Sequence, residues 1–245
     1  MIFELCCGSL EDIVIANELK VDRIELNAGL ALGGLTPSLG LLELAIKETN
    51  IPLALMVRPR GGGFMYNDYD YKTMLKDLQI FLQYNIEGIV FGFLDKDFNI
   101  DIKKTEEFIN IIKKSGKKAI YHRAFDNTSN KTKSIEELIS LGCDRLLTSG
   151  GKNTAIDGKD MIKSLQKEYG NKIDIVAGSG LKSNNIKDFI NYTNVTEIHS
   201  SCKEWKVDNT SNSFVSYDYN LSYKGMYDGV SRNEVIKMKE ALKNL

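Results

Sequence analysis

Eight short runs rich in Val, Ile, Leu and Phe alternate along the 245 residues with eight longer segments whose apolar residues recur every three or four positions. The runs lie at 2–6, 23–26, 53–57, 88–93, 118–121, 145–148, 173–177 and 197–199. Most give way within two residues to Gly, Ser, Asn or Asp. The helical segments are 10–20, 37–49, 70–84, 101–115, 134–141, 159–169, 184–192 and 232–244. A crossover helix between every pair of strands imposes a parallel sheet, and eight such units predict one α/β domain over 1–245, a (β/α)8 TIM barrel. The competing doubly wound sheet would carry a GxGxxG turn after its first strand, and CCGSLED has none.

Local signals refine this layout. Thr36-Pro37 predicts an N-cap and a first-turn proline, Ser183 and Ser231 start two further helices, and Ser231 with Glu234 has the spacing of a capping box. Val21-Asp22-Arg23 before the second run is echoed by Cys143-Asp144-Arg145 before the sixth, four units later. The segment 203–230, rich in Asn, Ser, Asp and Tyr, breaks the rhythm and is read as irregular. A lid, a surface excursion and a subunit contact are its three readings.

Composition narrows the function classes. A formal net charge of -1 gives no global attraction for nucleic acid or an anionic membrane, so any anion site must be local. MIFELCCGS reads as a strand rather than a signal peptide, and no apolar stretch approaches the roughly 20 residues that span a bilayer. A soluble, cytoplasmic protein is expected. Four cysteines without CxxC spacing argue against a zinc module and for reduced thiols. A homo-oligomer stays open.

Chemistry-bearing residues gather at the ends of the runs, where a parallel barrel places its active site. Both histidines, His122 and His199, sit there, and five of the six arginines, Arg23, Arg58, Arg60, Arg123 and Arg145, lie at one edge or the other of a run. Arg58-Pro59-Arg60 followed by three glycines suggests a clamp for a small anionic, even phosphorylated, ligand. His122, with Asp126 nearby, is a candidate acid or base. Glu4, Glu25 and Glu197 each interrupt an apolar run, so each needs Arg, His or a metal beside it. Alternation pairs Glu4 with Cys6, Glu25 with Asn27, and Glu197 with His199 on shared faces. Ser149 and Gly150 after the sixth run, Gly178 and Gly180 after the seventh, and Ser200 after the eighth form a second candidate anion site. Soft metal donors are Cys6, Cys7, Met56, His122, His199 and Cys202, although adjacent Cys6 and Cys7 point to opposite faces of a strand.

ELCCGS, DRIELN, GGLTPSLGLL, RPRGGGFMY, HRAFD, LTSGG, AGSG and EIHSSC, taken together, resemble the CutC family from Glu4 to about Trp205. The resemblance implies a cytoplasmic (β/α)8 barrel associated by name with copper homeostasis, with copper binding its usual inferred property. By motif position it implies a pocket of Glu4, Cys6, Glu25, Arg58, Arg60, His122, Arg123, Asp126 and His199. Asn27 stands where relatives often have Cys, and Gly63 where they often have Asp; the first change removes a soft ligand. Two active readings follow. One is copper handling through Cys6 or Cys7 with a histidine. The other is an enzyme acting on a small anionic metabolite, with His122, Glu25 and Glu4 as acid–base groups. A dimeric scaffold without turnover is the third.

Overall fold

The computed structural model describes residues 1–211 and 215–243. Strands covered on both faces read as continuous apolar runs. Eight of them form: β1 (Ile2–Cys7), β2 (Arg23–Leu26), β3 (Leu53–Met56), β4 (Gly88–Phe91), β5 (Lys118–Tyr121), β6 (Arg145–Thr148), β7 (Asp174–Gly178) and β8 (Glu197–Ser200). Each pairs in parallel with the next, and β8 returns to pair with β1, closing the barrel. Outside it run α1 (Leu10–Glu18), α2 (Leu39–Glu48), α3 (Asp68–Phe81), α4 (Ile102–Lys114), α5 (Lys131–Ser140), α6 (Lys159–Tyr169), α7 (Ile186–Thr193) and α8 (Arg232–Lys243). The expected (β/α)8 architecture is the observed one.

Two apolar layers follow from the strand alternation. Ala54, Met56, Val90 and Ile120 form a small core inside the barrel. The larger core lies between strands and helices, where Phe91, Phe93 and Phe108 pack ring against ring. No helix among the described residues is long and apolar enough to cross a membrane.

The repeated Asp-Arg pairs do the same work twice. Asp22 accepts the Phe3 N–H at the foot of β1 at 2.8 Å, and Asp144 accepts the Ala119 N–H at the foot of β5 at 2.8 Å. The arginine after each aspartate turns into the barrel, and both reach Glu197.

Three expectations about element ends need correction. The α2 cap is Ser38, whose Oγ accepts the Leu41 N–H, while Thr36 Oγ1 donates to the Arg58 carbonyl instead. Helix α7 starts at Ile186, after Asn185, rather than directly after Ser183, whose N–H and hydroxyl both donate to Glu234. Glu234 is thereby drawn away from a capping box with Ser231. The segment 203–230 is also not wholly irregular: β9 (Lys203–Val207) and β10 (Met226–Val230) form an antiparallel ribbon. Most of its residues are partly or fully exposed, so no apolar run announces it. Asp12 of α1 ties it down, accepting the Val230 N–H at 2.8 Å through one oxygen and the Gly8 N–H at 2.9 Å through the other.

Candidate ligand and metal site at the barrel mouth

The foot of the barrel is closed by buried charge. Arg23 donates to Glu4 at 2.5 Å and to Glu197 at 2.6 Å, and Arg145 donates to Glu87 at 2.5 Å. Charges removed from water persist only when paired. Burial opposes ionisation of Glu4, but the His199 hydrogen bond and the Arg23 charge outweigh it and hold the carboxyl down at about 2. Glu4 is therefore a fixed anion.

Above it stands His199, which β8 aligns with Glu4 in register. Its Nδ1 lies 2.7 Å from Glu4 Oε1 and its Nε2 4.0 Å from Glu25 Oε2. Burial works against the imidazolium, yet the Glu25 charge and the hydrogen bonds to Cys6 and Glu4 raise the His199 pKa well above its ordinary value. Cys6 and Glu25 sit opposite each other in the β1–β2 register, with Cys6 Sγ 3.7 Å from Glu25 Oε2. Burial raises the Glu25 carboxyl and pushes the Cys6 thiol up to about 12, even though His199 pulls the thiol the other way. Asn27 Nδ2 donates to Glu25 Oε2 at 2.6 Å and lies 3.4 Å from Cys6 Sγ, filling the soft-ligand position with an amide.

These groups floor a cavity of about 620 Å³ at the carboxyl ends of the strands. Strand β5 ends at Tyr121, so His122 caps a 3-10 turn (Arg123–Asn127), and both His122 and Arg123 line the same cavity. His122 Nδ1 accepts the Ala124 N–H at 3.1 Å. Burial, together with the Arg58 and Arg123 charges, depresses its pKa to about 3, so the ring is neutral. Lys182, Lys203, Trp205, Tyr223, Asp228 and Glu234 complete the outer wall. Trp205 and Tyr223 stack at 4.3 Å. Lys203, Trp205, Tyr223 and Asp228 of this wall come from the ribbon and its connection, where no apolar run in the sequence points to a site.

Several expected site residues are engaged elsewhere. The Arg58 guanidinium is spent on the carbonyls of Leu32, Gly34 and Gly62 at 2.7–2.9 Å, and Arg60 on Asp70 and the Met65 carbonyl. The two arginines pin loops and form no anion clamp. Asp126 accepts from Thr148, Ser149, Gly151 and Arg123, which makes it a loop organiser. Ser149 bonds Asp126 and the Lys152 carbonyl. Gly150 is required by a close approach: a Cβ there would lie 2.2 Å from the Gly158 carbonyl oxygen. At Gly178 a Cβ would lie 2.8 Å from Leu147 Cδ1. Gly180 and Ser200 do line the cavity, but the Ser200 hydroxyl donates to Leu181, as Ser179 does to Asn153. The second anion site thus has its hydroxyls committed within the protein. Glu4 lies beneath His199 rather than on the cavity wall. Cys7 faces the outer core, its Sγ directed to the Leu5 carbonyl, and cannot share an ion with Cys6.

The metal-capable set differs accordingly. Among the described residues, Cys6 Sγ, a Glu25 oxygen and a His199 nitrogen lie within 4.8 Å of one another. Glu25 Oε1 is buried with no partner among the described residues. Thiol, carboxyl and imidazole fit a metal ion once their protons leave.

Fold and site define a parallel (β/α)8 barrel with a ligand cavity floored by a thiol, a carboxyl group and an imidazole. The CutC family profile matches residues 1–204. The chain belongs to the CutC family. It is 40% identical over 242 residues to a CutC family protein of Treponema denticola, covering 99% of this chain and 98% of that one. It is 42% identical over 200 residues to one of Glaesserella parasuis, covering 82% of each. A solved CutC protein of Streptococcus agalactiae, provisionally named for copper homeostasis, is 32% identical with a TM-score of 0.77 over 82% of this chain and 98% of that one. Phosphoribosyl anthranilate isomerase of Thermococcus kodakaraensis, at 13% identity and a TM-score of 0.57, shares the fold alone.

Proposed function

We propose that this CutC family chain takes part in copper handling in the cytoplasm and binds a copper ion at Cys6, Glu25 and His199. The observation that carries this reading is the convergence of those three donors on the cavity floor. Thiolate and imidazole suit copper. The ion displaces protons from a buried thiol, an acid and an imidazolium, so binding tightens as pH rises. Asn27 leaves a single thiol and no dithiolate. In an anaerobic Cu(I) titration against a competing chelator, the expected result is one equivalent bound. Cys6→Ser weakens it at least about tenfold, the scale of losing a metal-site partner, and Cys7→Ser leaves it unchanged. Equal affinity in Cys6→Ser contradicts the reading.

A second reading is favoured by one observation. His122 lines the cavity, and its Nε2 is buried with no partner among the described residues. A neutral imidazole and a buried carboxyl group lining one cavity suit an enzyme that moves a proton on a small anionic metabolite, with Glu25 carrying the proton.

A further inference from the structure

We propose that the cavity binds a small organic molecule through a carboxylate or keto oxygen that accepts the Nε2–H of His122. This names the ligand class of the second reading and is independent of copper.

Hydrogen bonding fixes the tautomer of the ring. A nitrogen that accepts the Ala124 N–H carries no proton, so the single proton of the neutral ring sits on Nε2. That nitrogen is a donor, with no lone pair for a metal. The ring is also held in place. A Cβ on Gly92 would come within 2.6 Å of Cε1 and Nδ1, so only glycine admits the imidazole against β4. The Phe64 ring packs against it with centroids 4.9 Å apart. His122 is 3% exposed, yet its one remaining donor has no partner among the described residues. A fixed, buried, unmatched N–H on a residue that lines a cavity is suited to an oxygen brought by a ligand.

The neighbours select which oxygen. Arg123 is paired with Asp126 and bonded to Ser149, so the cations left on the cavity wall to favour a partly or fully negative oxygen are Lys182 and Lys203. A phosphate dianion needs several donors, whereas the Ser179 and Ser200 hydroxyls are committed and the Asp228 and Glu234 carboxyl groups line the same cavity as Lys182 and Lys203. A single planar oxygen matches one N–H.

The test is a titration of metal-free protein with pyruvate, followed by ¹⁵N NMR of the histidine side chains. Saturable movement of the His122 Nε2 resonance is expected, with a Kd on the order of 1 mM. His122→Phe keeps the ring size and should lose at least about tenfold in affinity, while His122→Gln, which retains an N–H, should stay within about threefold. An unmoved His122 signal overturns the proposal, as does unchanged binding in His122→Phe. Inorganic phosphate moving the same resonance at lower concentration overturns the assignment to a planar oxygen. The wild-type titration decides even where His122→Phe fails to fold. Exchange of the pyruvate methyl protons in D2O separates the two ideas: binding without exchange ends the acid–base reading and leaves the His122 site standing.

Discussion

Gly92 shows how a residue without a side chain determines the chemistry of another. Its missing Cβ is the space in which the His122 ring lies. Gly92→Ala is expected to destabilise the protein by about 1–3 kcal/mol, the usual cost of overpacking, and to shift the His122 resonances; a melting curve and one NMR spectrum check it. At this scale the sequence was informative where alternation rules. Glu4 with Cys6, Glu25 with Asn27, and Glu197 with His199 do share the inner face, as their contacts with Arg23 and with one another require. It misled at Arg58, because the carbonyls that consume its guanidinium come from Leu32, Gly34 and Gly62, and no local pattern announces acceptors delivered by loops.

Strands and helices were legible from periodicity, down to the bounds of β2, β5, β6 and α6, but several helix caps were not. Ser38 rather than Thr36 caps α2, and Glu234 serves Ser183 rather than a capping box, because tertiary partners compete for the same side chains. The β9–β10 ribbon escaped notice since its half-exposed strands lack an apolar run, yet it supplies Trp205 and Asp228 to the cavity. Asp12 tethers it to the barrel by bonding Val230 and Gly8, beside the Lys206–Glu11 ion pair. Asp12→Ala leaves both N–H groups unmatched and should cost about 1–3 kcal/mol. Limited proteolysis should then cut within 203–230 sooner than in the parent, with the barrel strands still protected. Equal cutting rates would mean that the ribbon is held by other contacts.

Over the whole molecule, alternation alone carried the barrel, since eight β/α units have few other ways to bury both faces of a parallel sheet. The buried charges make its stability depend on pH. The unfolded chain protonates His122 near its ordinary 6.5, whereas the folded ring resists until about 3. Glu4 is protonated near 4.5 when unfolded and only near 2 when folded. Both depressed values give stability that is present at higher pH and lost as pH falls through these windows. His199, raised when folded, acts in the opposite sense and loses its contribution as pH climbs through its elevated value. Urea midpoints should therefore fall between pH 6.5 and 3, and His122→Gln should flatten the upper part of that decline. A decline of equal slope in the variant would assign the upper part to other groups.

Anomalous diffraction at the copper edge, from crystals loaded anaerobically with Cu(I), tests the proposed metal site most directly. The expected result is a peak at the cavity floor, within bonding distance of Cys6 Sγ and His199 Nε2. A peak beside Cys7 or Cys202 without those two, or none at the floor of a fully loaded crystal, would contradict copper binding there.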